Sequence, residues 1–190
     1  MKRIVLVLAM ALVGQWGANA QTDTLKKRPG QVSFFYPLGT NGLASTQYTN
    51  NVSINLLYGI NGGLNGVEIG GLVNTNLGKV TGAQWAGIAN INLGETNGII
   101  FGGIANVIKD SSNSVCFAGI TNVIGKSATG LHFAGISNTV NGKYIGAQFG
   151  GITNTSNGNV LGAQFAGISN VANGNVTGAQ MAGINNVANG

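Results

Sequence analysis

GAQFAGISNVANGNV (residues 162–176) is followed after Thr177 by GAQMAGINNVANG (178–190), and the same frame stands one unit earlier as GAQFGGITNTSNGNV (146–160). Read outward from this stretch, the glycines Gly71, Gly87, Gly103, Gly119, Gly135, Gly151, Gly167 and Gly183 are each sixteen residues apart, with no insertion. Three residues after each comes an asparagine: Asn74, Asn90, Asn106, Asn122, Asn138, Asn154, Asn170 and Asn186. Two residues before the glycine stands a large apolar side chain: Trp85, Phe101, Phe117, Phe133, Phe149, Phe165 and Met181. Directly after it come Leu72, Ile88, Ile104, Ile120, Ile136, Ile152, Ile168 and Ile184. A fixed period of this length marks one small structural unit stacked on copies of itself.

The composition favours strands and tight turns over helix. Gly is 33 of 190 residues and Pro only 2, and Asn, Thr, Val and Ile fill much of the rest. Two all-β architectures compete. In a β-solenoid each unit is one coil and identical residues stack, giving Asn, Phe and Ile ladders. In an up-and-down antiparallel barrel each unit is one strand, and the recurrent Asn-Gly pairs at 141–142, 157–158, 173–174 and 189–190 would be hairpin turns. Neighbours in a barrel run oppositely, so identical residues would not meet and nothing would favour invariant columns. The solenoid is therefore expected, with the barrel as the alternative. Phe165 and Ile168 are an odd number of residues apart, so a straight strand would send them to opposite faces. A bend at Ala166-Gly167 is expected to bury both. An acidic residue at Phe149 would then be a buried unpaired charge.

Residues 1–20 read as a secretory signal. Lys2 and Arg3 precede the apolar run Ile4–Val13, and Ala18-Asn19-Ala20 supplies a small-residue cleavage site. Residues 21–30 read as a solvated basic leader around Lys26-Lys27-Arg28. Residues 31–70 read as N-terminal strands or a cap, and 71–190 as the repeat array. The array stops half-way through a unit, so the sequence is expected to be a fragment or to have an end covered by a partner. An exported protein of the cell surface, outer membrane or extracellular space is expected.

From Gln21 onward seven basic side chains stand against four acidic ones, a net +3, and the repeats are nearly uncharged. No basic stripe runs along them, which excludes a nucleic-acid binder. Cys116 and His132, the single Cys and the single His, share one repeat column with Gln84, Ile100, Gln148, Gln164 and Gln180. Stacked neighbours of this kind begin a nucleophile pair or a metal site, but no third group accompanies them, and both read as replacements of Gln. GITNVIGKS (119–127) has five residues between its glycines where a phosphate-binding loop has four. Asp23, Glu68, Glu95 and Asp110 fall in no paired arrangement and read as surface acids. The Thr-containing column is too mixed for an ice-binding array. No catalytic, cofactor-binding or metal residue is assigned. The structural ladders Asn74–Asn186, Phe101–Phe165 and Ile88–Ile168 are the residues singled out. The expected partners are a cell-surface glycan or protein, or a second copy through the open solenoid end, with membrane association either peripheral or left undecided by the sequence.

GAQFAGISNVANGNV (162–176) and GAQWAGIANINLGETN (82–97), with PLGTNG (37–42) and NNVSINLLYG (50–59) before them, resemble the Gly-x-Gln-x-Gly-x-x-Asn surface-repeat family of exported proteins in Gram-negative bacteria. The resemblance covers roughly 31–190. It implies surface location and carries no activity, cofactor or functional residue with it. A non-enzymatic structural or adhesive module is the functional expectation, and a pore or anchor is the expectation attached to the barrel.

Overall fold

The computed structural model describes residues 25–190. The expected signal peptide, and Gln21–Thr24 of the expected leader, lie outside the described residues. The chain opens with β1 (Lys26–Phe35), the two-residue β2 (Leu38–Gly39), a 3-10 turn at Gly42–Gln47, and the long β3 (Tyr48–Asn61). β4 (Gly63–Gly70) and β5 (Val73–Asn76) begin the regular alternation, followed by β6 (Val80–Ala86) and β7 (Ala89–Asn92). Seven-residue and four-residue strands then alternate to β18 (Val176–Ala182) and β19 (Asn185–Ala188).

The strands of successive coils pair in parallel at a constant offset. Val80 pairs with Thr96, Trp85 with Phe101, and Asn90 with Asn106. The same register continues to Phe165 with Met181 and Asn170 with Asn186. The molecule is a β-solenoid of about nine turns. This parallel, in-register pairing overturns the antiparallel barrel. The Asn-Gly pairs are corners of a coil rather than hairpin turns, because the chain leaving them joins the strand one coil further on.

The basic triplet is not a free leader. Lys26, Lys27 and Arg28 pair in parallel with Tyr48, Thr49 and Asn50, as part of the first edge strand. Lysines and a proline on an edge strand discourage the addition of another strand, and Lys26-Lys27-Arg28-Pro29 supplies both. The Arg28 guanidinium lies 4.2 Å from the Tyr48 ring centroid and donates to its hydroxyl.

Alternation along each strand decides the inside. In β6, Val80, Gln84 and Ala86 face inward and are buried, while Thr81 and Trp85 face outward. In β7, Asn90 and Asn92 face inward. The bend at Gly87 carries Ile88 over the convex side. Gly82 and its equivalents take positive φ, 130° at Gly82, and a Cβ there would strike the carbonyl of the coil before.

This arrangement corrects the expected inside. The Phe and Ile columns form ladders on the outer surface, with Phe149 36 % exposed and Ile120 42 %. The bend that was expected to bury both leaves both outside. With Gln84 pointing in, Trp85 must point out, and at a convex corner the residue after the glycine cannot turn back toward the axis. The interior is built largely from small and amide side chains, with an apolar middle that includes Ile100, Ile108, Ile124, Val140 and Tyr144.

Candidate functional site

Three arrays of side chains run along the solenoid. The first is the inner asparagine ladder. Asn74 Nδ2 donates to Asn90 Oδ1 at 3.0 Å and to the Trp85 carbonyl at 2.8 Å. Asn90, Asn106, Asn122, Asn138, Asn154 and Asn170 repeat both bonds, each to the asparagine one coil on and to the carbonyl of the aromatic-column residue in that coil. Both amide protons of each ladder member from Asn74 to Asn170 are used, and its oxygen receives the preceding amide. Asn is the side chain that fits this place: Asp has no proton to donate, and an apolar residue leaves the neighbouring amides unmet.

The glutamine column runs the other way. Gln180 Nε2 donates to Gln164 Oε1 and Gln164 Nε2 to Gln148 Oε1, each at 2.7 Å. At the N-terminal end Gln84 donates to Glu68, which occupies the same column. Glu68 was expected as a surface acid, but it is wholly buried. Its carboxylate accepts four amide bonds, from Asn55 at 2.9 Å, Asn61 at 2.6 Å, Asn76 at 2.6 Å and Gln84 at 2.7 Å. Burial holds its pKa above the ordinary carboxylate range, and the amide donors oppose that shift. Asn55 also donates to Asn74, so the carboxylate sits where the asparagine ladder begins. The signal available in the sequence was the column itself: Glu68 stands directly before Gln84 in the column that holds the inward-facing glutamines.

Cys116 and His132 are stacked neighbours on adjacent coils, as their shared column implies, and both are fully buried. Cys116 Sγ lies 3.1 Å from Ser114 Oγ, and burial pushes the thiol up to about 11. Neither ring nitrogen of His132 has a partner, and burial lowers its pKa to about 4. The thiol is therefore protonated and the imidazole uncharged at neutral pH, a pairing without a thiolate nucleophile. Among the described residues no group of three or more His, Cys, Asp or Glu is placed to hold a metal ion.

The third array is the outer aromatic ladder. Trp85, Phe101, Phe117, Phe133, Phe149 and Phe165 stack with centroids 4.8 to 5.2 Å apart and planes within 8° of parallel. The ring faces are spent on one another, and the ring edges meet solvent. Beside them the Ala-Gly bend forms the floor of a shallow trough of about 580 Å³, bounded by Phe101, Phe117, Phe133 and Phe149. The isoleucine column continues the apolar surface around the corner. Lys79, Glu95, Lys109, Asp110, Lys126 and Lys143 all lie at the opposite corner of the coil, in or next to the turn that precedes each seven-residue strand. Two exposed pairs bridge neighbouring coils there, Lys79–Glu95 at 3.2 Å and Lys126–Asp110 at 3.0 Å.

Comparison with protein-family models, curated proteins and solved structures found no match for this chain.

Proposed function

We propose that this chain is an exported, non-enzymatic surface repeat protein with a structural or adhesive role. The observation that carries this reading is the division of labour between its arrays. Inside, a continuous asparagine ladder ties each coil to the next. Outside, the same rungs display a nearly uncharged, periodic apolar surface. Such a molecule supplies a stiff rod and a long contact surface. The buried, mutually inactive Cys116 and His132 favour the same reading over nucleophilic chemistry. The resemblance of 162–176 and 82–97 to exported surface repeats supports the location.

The orientation of the aromatic rings narrows the adhesive role. Sugar rings stack on aromatic faces, and here the ring faces are turned onto the neighbouring rungs. An extended glycan would meet ring edges along the ladder. A protein or lipid surface suits this array better.

The test is fractionation of cells producing the full chain, combined with protease accessibility of intact cells. Recovery at the exposed outer surface supports the proposal, and retention in the cytoplasm overturns it. Cys116→Ala with His132→Ala should leave every property of the protein but stability unchanged; loss of a chemical activity would overturn the non-enzymatic reading.

A further inference from the structure

We infer that the corner formed by the aromatic and isoleucine columns is a lipid-facing edge, on which the solenoid lies along a bilayer with the charged corner in water. The inference goes beyond the structural role and stands on separate observations.

The first is the segregation of charge around the coil. Every exterior charge of the repeats lies in or next to the turn before the seven-residue strands, half a coil away from the bend at Gly87 and its equivalents. The N-terminal triplet joins that same edge: Lys27 pairs with Thr49 and Arg28 with Asn50, which in turn pair with Gly63 and Leu64 at the start of β4. The cross-section is thus amphipathic, with a cationic edge and an apolar edge, as an interfacial element requires.

The second is the state of the backbone at the apolar corner. A bend ordinarily exposes amide groups that lipid cannot satisfy. Here Ile88, Ile104, Ile120, Ile136, Ile152, Ile168 and Ile184 each donate their N–H to the equivalent residue one coil before, at 2.8 to 3.1 Å. The next residue donates to the same carbonyl, as Ala105 does to Ile88 at 3.0 Å. The N–H groups of the isoleucines and of the residues after them are therefore all met within the corner, beneath a hydrocarbon surface.

The third is shape. Two side-chain columns three residues apart make a strip about 10 Å wide, and seven coil spacings make it about 34 Å long. That is roughly 350 Å² for each copy, below the roughly 800 Å² per partner of a stable protein interface. Acyl chains, which need no fixed complementary surface, are the occupant this strip fits. Among the described residues no helix is long and apolar enough to cross a membrane.

The experiment uses the full chain carrying Trp16→Phe, so that Trp85 at the head of the ladder reports alone. It is mixed with zwitterionic phosphatidylcholine vesicles in high salt and floated, and Trp85 fluorescence is followed with lipids brominated on their acyl chains. Co-flotation with quenching of Trp85 is the expected result. Ile104→Ser, Ile120→Ser and Ile136→Ser together should weaken vesicle binding roughly a hundredfold, with the β-sheet circular dichroism spectrum retained. Lys109→Ser with Lys126→Ser should leave it unchanged. The inference is overturned by absence of quenching, which needs no variant to interpret. It is equally overturned by binding confined to anionic vesicles and abolished by salt, which would assign contact to the cationic edge. A concentration-dependent dimer that the isoleucine variant dissociates would give the corner to a second copy instead.

Discussion

The inner asparagine column and the outer phenylalanine column lie on the same rungs of the same solenoid, yet they exchange the places that hydrophobicity alone would assign. Asn122 is wholly buried, while Phe149 keeps more than a third of its surface exposed. The difference shows what a narrow coil needs at its centre. A coil of sixteen residues encloses few side chains, and at each bend the backbone offers carbonyls that require donors. A short amide reaches them and its counterparts above and below. The aromatic rings bury their faces against one another, so the outer ladder shelters apolar surface without an interior.

The comparison can be broken most directly from inside. Asn122→Leu removes the bonds to Phe133 O and Asn138 Oδ1 and strands the Asn106 donor. A loss of about 3–5 kcal/mol is expected from these unmet groups, read from the midpoint of chemical denaturation. An effect below that of an outer-ladder substitution would show that the amides are not what joins the coils.

His132 offers a second interior test. Its pKa of about 4 in the fold lies below the ordinary 6.5, so the unfolded chain binds the proton first as pH falls. The contribution of this residue is complete above about pH 6.5 and declines toward pH 4, by up to about 3 kcal/mol. His132→Gln should abolish that decline and place an acceptor next to Gln148 Nε2, which has no partner. Denaturation midpoints at neutral and acid pH check both effects; an unchanged acid dependence in the variant would assign the loss to other groups.

On the outside, Phe149→Asp removes two ring contacts, to Phe133 at 4.8 Å and to Phe165 at 5.1 Å. About 1–2 kcal/mol is expected, with no penalty for an enclosed charge, because the carboxylate meets water. A calorimetric loss as large as that of Asn122→Leu would return the aromatic column to the inside. The smallest effect belongs to the charged edge. Lys126→Ala breaks an exposed pair with Asp110 and should cost no more than about 0.5 kcal/mol, a difference that high salt should erase in thermal melts.

The period of the glycines and asparagines was enough to specify a stack of parallel coils, because only parallel neighbours bring Asn90 to Asn106 and Phe101 to Phe117. The shared column also places Cys116 beside His132 on the next coil. Two readings of single residues failed for local reasons. Glu68 looks solvated as one acid among four, and becomes intelligible only when Asn55, Asn61 and Asn76 are seen to converge on it from other strands. Lys26-Lys27-Arg28 looks like a leader until its pairing with Tyr48, Thr49 and Asn50 makes it an edge.

The sequence by itself determined the repeat length, the register and the identity of the residues that meet from coil to coil, since a sixteen-residue period is a covalent property of the chain. Only the tertiary structure decided that the aromatic and isoleucine columns face away from the axis. That choice depends on how the backbone turns at Gly87 and its equivalents, and a bend of one residue more or less exchanges inside for outside without changing the period.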